Sequence, residues 1–519
     1  MFDFLKYKPQ KSYREFDLTF GENKADKKSV SPDYVPVAND IDVNFENMKK
    51  VMHLDRNGDI IQRFFNCKFN SQNKKALIIF ADGIVNRNSI NQFVLEPAMK
   101  SGFECPEDKI IEYFSHNVMP QSQVTIEENL VKIADSINFG NAAIFIDGCS
   151  KGIIIDIKSW EHRSISTPLN ETVVQGPHEG FNEVLRCNTA IIRKSVNNSD
   201  LIFETLIFGN KSKTPGSLAY IDGIINDELL KEIKKNLSSF TDDYIFSVFD
   251  IEKGIEERKN LTIPQIITTE RPDKVCRALV EGRAVLFLNG SSHALILPSN
   301  ITDIAASPED TYLRKPYSIF IKLIRILAVI LSLITPGLYL AITRFHSESL
   351  LTDMMLSLIS ERGGVPFSTL TEIIIMELSF ELIKEAGIRI PGSIGSSLGI
   401  VGGLILGQAA VTAGLVSPIT IILVSVCGIA SFAIPSYSLS FSFRISRFVY
   451  IFAGALYGMI GITCVLTVQL TLILGTKSFG VPFFVPFSPK TSKHNIFKMI
   501  FNDYSRIPSP SYLKSKRNR

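Results

Sequence analysis

Three glutamates recur at intervals of four residues in a largely apolar stretch of this 519-residue chain: Glu377, Glu381 and Glu385. On a helix, this spacing places the three carboxylates on one face. The apolar side chains of this stretch include Ile373, Ile374, Leu378 and Leu382. Because carboxylates inside a membrane are costly and usually face a polar cavity, one hypothesis is an acidic stripe beside a cation path. The other is an interfacial helix whose acids are solvated or paired with Lys384 and Arg389.

A second regular spacing follows directly, because glycine recurs at every fourth position, in Gly395, Gly399, Gly403 and Gly407. A glycine stripe on a helix lets another backbone approach closely. The stripe therefore predicts tight packing, either inside one subunit or between identical helices around a shared axis. Gln408 is the strongly polar side chain of this stretch, and it either caps a helix contact or faces a pore. The candidate pore-lining residues of this helix are Val401, Leu404 and Gln408.

No arrangement of residues predicts catalysis, so we do not expect an enzyme or a cofactor. The sequence before the apolar half contains no phosphate-binding loop and no His-Glu-x-x-His. The seven cysteines include no Cys-x-x-Cys pair and have no histidine at metal-ligand spacing, so no metal site is predicted either. Asp-Gly and Asn-Gly pairs could supply ligand oxygens, but these residues also supply turn geometry, which is the interpretation we favour.

Composition divides the chain into a soluble half and a membrane half. The sequence is 45% hydrophobic with a mean hydropathy of +0.16, and the first 316 residues carry most of the charged side chains, whereas residues 393–434 carry none. A net charge of +3 without a basic stripe argues against nucleic acid as a partner. The N-terminus lacks a basic start followed by an apolar run, so we predict no secretory signal peptide and a cytoplasmic soluble half.

The soluble half contains an internal repeat. Two similar α/β subdomains are predicted near 41–157 and 200–310, after a disordered tail over 1–40. The repeat pairs Asp82-Gly83 with Asp222-Gly223, and Asp147-Gly148 with Asn289-Gly290, all at predicted turns. A linker over 158–200 contains a predicted helix at 181–195. Two of its residues lie three apart on one face and are expected to pack between the subdomains: Glu183 and Arg186.

The membrane half, residues 317–489, contains apolar segments long enough to cross a bilayer. Four spans are predicted, at 317–343, 392–416, 418–435 and 448–475. The charged segment 344–390 is expected to be re-entrant or interfacial. The tail at 490–519 holds eight Lys or Arg residues and one acid, which predicts a basic cytosolic tail. An even number of spans then leaves both termini in the cytoplasm.

Three stretches resemble a known family. GPHEGFNEVLRCNTAIIRK (176–194) is similar to the soluble signature of the A subunits of GerA-type spore germinant receptors, SERGGVPFSTLTEIIIMELSFELIKEAGIRIPGSIG (360–395) to their membrane signature, and PFFVPFSP (482–489) to their terminal motif. The resemblance extends from about residue 40 to 490. His178 and Cys187 depart from the family pattern, and these departures blur which member the chain represents.

The repeat and the apolar spans predict the fold class, an α/β soluble N-terminal region of two similar subdomains followed by an all-α polytopic membrane domain. The resemblance implies a place and partners. The implied setting is the inner membrane of a spore, where the subunit contacts membrane lipid beside a permease-like B subunit and a lipoprotein C subunit. The resemblance also implies that copies of the chain form a homo-oligomer. This homo-oligomer would be a ligand-gated cation channel that triggers spore germination. An accessory relative from the spore stage V A locus, a membrane-anchored scaffold and a secondary transporter remain alternatives.

Overall fold

The computed structural model describes residues 34–485 and residue 513, apart from 71, 101, 107–108, 122, 159–167, 169–170, 172, 174, 260 and 390–392. The side chains of residue 103, of 388–401 and of residue 404 also lie outside the description. Most of the two predicted tails therefore falls outside the described residues. The last residues of the predicted N-terminal tail are ordered, because Pro36 forms a β-bridge with Asn129 and Val37 is buried.

The first sheet has six strands in the order β3-β1-β2-β5-β6-β4, antiparallel except for β3 along β1. The strands are β1 Ile60–Phe69, β2 Gln72–Ala81, β3 Gly102–Phe103, β4 Val124–Glu127, β5 Asn141–Ile146 and β6 Gly152–Asp156. The helices are α1 Ile41–Val51, α2 Arg87–Ile90, α3 Glu96–Lys100, α4 Ile110–Tyr113 and α5 Leu130–Asn138. Consecutive residues of β5 and β6 are buried, which shows that both faces of the sheet are covered.

The second sheet is antiparallel and has five strands in the order β7-β8-β10-β11-β9. The strands are β7 Leu201–Phe208, β8 Thr214–Ile221, β9 Ile267–Thr269, β10 Ala284–Leu288 and β11 Ala294–Leu297. The accompanying helices are α6 Leu185–Ser195, α7 Asp227–Ser238, α8 Val248–Ile255, α9 Pro272–Val280 and α10 Ile301–Ala305. Helix α6 starts four residues later than the predicted helix at 181–195.

The two sheets share one strand order. Five strands of the first sheet run β1-β2-β5-β6-β4, and the second sheet runs β7-β8-β10-β11-β9 with the same turns between them. Asp82-Gly83 and Asp222-Gly223 each follow the second strand of their sheet, and Asp147-Gly148 and Asn289-Gly290 each close a hairpin. All four glycines have positive φ, which explains why glycine stands at each turn. This agreement supports the predicted repeat, while superposition of the two units stays a prediction.

A buried arginine joins the two sheets. Arg193 of α6 is 1% exposed, and its Nε donates to Asp59 Oδ2 at 2.7 Å. Its Nη1 donates to Asn138 Oδ1 at 2.7 Å, and its Nη2 donates to the Leu201 carbonyl at 3.2 Å. Asp59 and Asn138 belong to the first sheet's unit and Leu201 begins the second sheet. Helix α6 therefore connects the units through Arg193, which the sequence reasoning did not single out.

The two residues predicted for this junction lie at its edge. Glu183 is exposed and precedes α6, and its backbone carbonyl accepts from Gly290 N at 2.7 Å. Arg186 is exposed in α6, with its Nε 3.4 Å from Asp82 Oδ2.

The helical region follows the second sheet. Its helices are α11 Lys315–Phe345, α12 Thr352–Arg362, α13 Thr369–Arg389, α14 Ser393–Thr412, α15 Pro418–Phe432 and α16 Tyr437–Leu474. Among the described residues, two helices are long and apolar enough to cross a membrane, α11 and α16, and α15 is a shorter apolar helix. Helix α14 covers most of the predicted second span.

Helix α16 is not the single straight span predicted for 448–475. Gly458 interrupts it with φ 61° and ψ −142°. The Tyr450 hydroxyl donates to Gln469 Oε1 at 2.7 Å across 19 residues, a separation of about 28 Å along a straight helix. The chain therefore reverses at Gly458, and α16 consists of two arms, 437–457 and 459–474, that fold back on each other.

The chain returns to the second sheet after α16. Strands β12 Lys477–Ser478 and β13 Val481–Pro482 form a hairpin, and Phe483 is fully buried among side chains of the second unit such as Phe181. Arg258 holds the end of α16, because its Nη1 donates to the Leu472 carbonyl at 3.0 Å. Residues 477–485 lie within the membrane domain predicted for 317–489, but they pack into the second soluble unit.

Candidate functional site in the helical region

Helix α13 carries the predicted acidic stripe and lies inside the helical bundle. Its residues contact α11, α15 and α16, while the re-entrant or interfacial placement predicted for 344–390 stays a prediction. Leu378 and Leu382 of this helix are 50% and 71% exposed, whereas Glu377 is 1% exposed. The charged face therefore points inward and the leucines point outward, the reverse of a helix on a soluble protein.

Glu377 forms a buried ion pair with an arginine of α16. Arg447, also 1% exposed, donates from Nη1 to Glu377 Oε2 at 2.6 Å. Its Nε donates to the Ser332 carbonyl at 2.6 Å and its Nη2 to Ser332 Oγ at 2.7 Å. One guanidinium therefore links α11, α13 and α16.

A second pair lies one turn further along α13. Arg444 Nη1 donates to Glu381 Oε2 at 2.8 Å, and Lys384 Nζ donates to Ser431 Oγ of α15 at 2.6 Å. The cluster holds two carboxylates, Glu377 and Glu381, and three cationic groups. The arginines thus neutralise these two acids within the chain, and their partners lie on α16 rather than on α13 itself. Glu385, the third acid of the stripe, is exposed.

Glu372 forms a further buried junction, at the other end of α13. It is fully buried, and its Oε2 accepts from Ser417 N at 3.0 Å and from Ser417 Oγ at 3.0 Å. Thr420 Oγ1 donates to the same oxygen at 3.2 Å. Ser417 precedes α15, so a carboxylate lies at the positive end of that helix dipole. Glu372 is five residues before Glu377, off the four-residue spacing, and no sequence pattern pointed to it.

These pairs fix the directions of the helices. Arg447 lies against Ser332, and Arg344 Nη1 donates to the Ala455 carbonyl at 3.1 Å, so the first arm of α16 runs in the same direction as α11. The pairs of α13 with α16 run in opposite order, so α13 returns toward the sheets. Helix α15 runs with α13, and the second arm of α16 returns to Arg258.

The described part of the glycine stripe packs within the chain. A Cβ on Gly403 would lie 3.5 Å from the Phe380 ring of α13, and one on Gly407 would lie 3.4 Å from Ile421 of α15. Gln408 is exposed. The surroundings of four further predicted residues lie outside the description: Gly395, Gly399, Val401 and Leu404. Packing between copies of the chain, and a pore lined by these residues, stay predictions.

A closer backbone contact lies elsewhere, where α11 crosses α16. A Cβ on Gly337 would overlap the Tyr450 carbonyl, and one on Gly454 would overlap the Gly337 carbonyl. The sequence reasoning missed this contact because its two glycines are far apart in the chain. It also missed Arg444 and Arg447, although they lie three residues apart just before a long apolar run. That spacing indicates a common face, but it does not identify the partner helix.

Within the described ranges, no group of three or more His, Cys, Asp or Glu residues could hold a metal ion. The described contacts at the site are ion pairs and hydrogen bonds between helices. Such pairs hold a set of helices in one register, and breaking one leaves a buried charge.

Comparison with known proteins identifies a family and individual proteins to which this chain is similar. A family model described as Bacillus/Clostridium GerA spore germination protein matches residues 46–515. The chain is 34% identical over 416 residues to spore germination protein KA of Bacillus subtilis (strain 168), which covers 80% of this chain and 76% of the relative. It is 34% identical over 461 residues to the uncharacterized membrane protein YfkQ of the same strain, which covers 88% of this chain and 87% of the relative.

Among solved structures, the crystal structure of the N-terminal domain of the A subunit of the Bacillus megaterium spore germinant receptor GerK3 matches with a TM-score of 0.37 and 24% identity. That match covers 51% of this chain and 96% of the solved one. The family match, in contrast, extends over both sheets and the helical region.

Proposed function

This chain belongs to the GerA family of spore germination proteins, and from that premise we propose that it is the A subunit of a nutrient-germinant receptor in the spore inner membrane. The family match over 46–515 supports this role, as does a relative named as a membrane protein. The proposed complex contains a permease-like B subunit and a lipoprotein C subunit. In it, the A subunit is a receptor component and not an enzyme.

The observation that carries the membrane placement is the inverted polarity of the helical region. Ion pairs such as Glu377 with Arg447 are buried between helices, while leucines and isoleucines of the same helices are exposed. Lipid is the solvent in which exposed apolar side chains are stable, and charges inside a bilayer normally pair with one another. Helix α11 follows the second soluble unit in the chain, and the end of α16 returns to Arg258 of that unit. This supports a multi-pass protein with both termini in the cytoplasm.

We further propose that copies of the chain assemble into a ligand-gated cation channel. The acids Glu377 and Glu381 are neutralised inside the chain, so a polar path between copies depends on side chains at the surface. Of the predicted pore residues whose side chains are described, Glu385 and Gln408 are exposed. These two are therefore the ones to test for conduction.

The test is cation efflux from liposomes that contain the A, B and C subunits. The proposal expects germinant-dependent efflux, and it expects Glu385→Gln with Gln408→Leu to change that efflux without changing the size of cross-linked oligomers. The matched control is Ile405→Leu. Ile405 lies on α14, as Gln408 does, and is 62% exposed, and the substitution preserves side-chain volume. A monomeric A subunit in native membranes, or efflux that does not require it, would sink the channel proposal and favour a scaffold.

A further inference from the structure

The second soluble unit has a binding socket next to the start of α7. Leu513, from the far end of the chain, is 1% exposed there among the apolar side chains of that unit. Its backbone carbonyl accepts a hydrogen bond from Asn226 N at 2.8 Å. Asn226 also caps α7, because its Oδ1 accepts from Glu228 N at 3.0 Å. The socket thus combines a fixed backbone donor with an apolar pocket.

Gly282 forms the other wall of the socket. Its φ is +94°, and a Cβ there would lie 2.8 Å from the Leu513 carbonyl oxygen and 3.3 Å from the Ile224 carbonyl oxygen. A side chain at this position would therefore be strained and would push Leu513 away. The space between Gly282 and Asn226 is shaped to the backbone of the docked residue.

The first soluble unit contains the same socket, filled differently. Asn86 caps α2 and donates from its backbone N to the Ile157 carbonyl at 3.0 Å. Gly140 has φ +96°, and a Cβ there would lie 3.1 Å from Lys158 Cγ and 3.2 Å from the Ile84 carbonyl oxygen. The sequence leading to the asparagine is nearly the same in both units, DGIVN at 82–86 and DGIIN at 222–226.

The two units differ in where the docked residue comes from. In the first unit, Ile157 follows β6 directly, so the sheet fills its own socket. In the second unit, the chain after β11 continues into α10 and then into the helical region, and it does not supply this residue. Leu513 occupies the place of Ile157, although the whole helical region lies between β11 and it.

We propose that the socket at Asn226 and Gly282 is a docking site for the chain's own C-terminal segment, with Leu513 as its anchor residue. The docked segment completes the second soluble unit, as the residues after β6 complete the first. It also adds a third attachment of the helical region to that unit, beside the start of α11 and the end of α16. This inference concerns the soluble half and holds whether or not the chain conducts cations.

The first test is proteolysis of the full chain, purified in detergent with a C-terminal epitope. Chymotrypsin cuts after Tyr512 and Leu513 only when the segment leaves the socket, because cleavage of a docked segment requires its opening. We expect Gly282→Val to speed cleavage at these two bonds by about tenfold or more, since burial of one leucine is worth at least that factor. The matched control is Gly290→Val, at another positive-φ glycine of the second unit, where a Cβ would lie 3.8 Å from the Phe246 carbonyl oxygen. Equal cleavage rates in the wild type and in Gly282→Val would overturn the proposal.

The second test does not depend on a glycine substitution. A chain that ends at residue 507 should melt at a lower temperature than the full chain, and a synthetic peptide of residues 508–519 should restore the lost stability. The same peptide with Leu513→Asp should not restore it. A truncated chain as stable as the wild type, or equal rescue by both peptides, would show that Leu513 is not an anchor.

Discussion

At the scale of single residues, the strongest constraint is the ion pair of Glu377 with Arg447. Both side chains are 1% exposed, and a buried pair that loses one member leaves an uncompensated charge. We predict that Glu377→Gln destabilises the protein by about 3–5 kcal/mol, seen as a lower melting temperature in detergent and less protein in the spore membrane. Replacing both residues, Glu377→Met with Arg447→Met, should recover much of the loss.

Glu385→Gln is the control, because Glu385 lies on the same helix and is exposed. Glu385→Gln should therefore change the melting temperature in detergent only a little. If Glu377→Gln behaved like Glu385→Gln, the pair would not stabilise the bundle. A variant with Glu377, Glu381 and Glu385 all replaced by Gln could lose cation flux because it assembles poorly. Its flux would therefore not distinguish a defect in assembly from a defect in conduction.

A second residue, Glu252 of α8, makes stability depend on pH. Burial raises the pKa of its carboxyl from 4.5 to about 8, and the nearby Glu256 adds to the rise. A carboxyl that holds its proton more tightly when folded stabilises the protein at low pH, and this stabilisation is lost as the pH rises from 4.5 toward 8. We predict that Glu252→Gln raises the melting temperature at pH 9 by about 2–4 °C for each kcal/mol gained, and changes it little at pH 5.

The reference for this titration is the wild type, melted in the same two buffers. A Glu252→Gln melting temperature that shifts equally at both pH values would mean that the carboxyl does not titrate in this range.

At the scale of elements, we predict that helix α6 stabilises the junction of the two soluble units through Arg193 rather than through Glu183 and Arg186. Arg193 makes hydrogen bonds to Asp59, Asn138 and Leu201, which belong to both soluble units. Arg193→Ala is expected to lower stability by about 3–5 kcal/mol and to reduce accumulation of the complex. Glu183→Ala, in which an exposed carboxylate is removed, should stay within about 0.5 kcal/mol. Differential scanning of both variants measures this, and similar losses in the two would argue against the buried junction.

The reversal of α16 rests on Gly458. Its φ of 61° and ψ of −142° belong to a region that glycine occupies almost alone, and Phe345 fills the space where a Cβ would lie. Gly458→Ala should therefore cost about 1–3 kcal/mol and reduce accumulation in the membrane. Gly402→Ala serves for comparison, since a Cβ there meets nothing within 4 Å and alanine favours a helix. Equal stability of the two variants would mean that the arms do not fold back on each other.

Local chemistry explains which elements the sequence predicts well. The repeat is visible because DGIVN and DGIIN specify the same turn and cap in both units, and the structure places both after the second strand of a sheet. The reversal at Gly458 is not visible, because one glycine among several in an apolar run carries no sign of its φ. The partners of Glu377 and Glu381 are also long-range features. Spacing predicts that the acids share a face, but Arg444 and Arg447 reach that face only through the packing of α16 on α13.

At the scale of the whole molecule, the helix directions predict that both ends of the chain lie on one side of the membrane. Ser31→Cys and Ser509→Cys should be labelled from the same side, in a chain whose exposed Cys464 is replaced by serine. Ser349→Cys is the matched test of the opposite side, because Ser349 is exposed at the end of α11 that lies away from the sheets. Labelling of Ser31→Cys and Ser509→Cys from different sides would contradict an even number of membrane crossings.

The burial of Phe483 in the second soluble unit has a consequence for biosynthesis. A ribosome makes the chain from its N-terminus, so both sheets emerge before the helical region is translated. The core position of Phe483 nevertheless stays empty until the last arm of α16 has left the ribosome and its end has reached Arg258. A chain whose last arm inserts wrongly keeps an apolar cavity on its soluble half. We expect such chains to be recognised by chaperones and proteases, so that correct insertion is checked before a subunit accumulates.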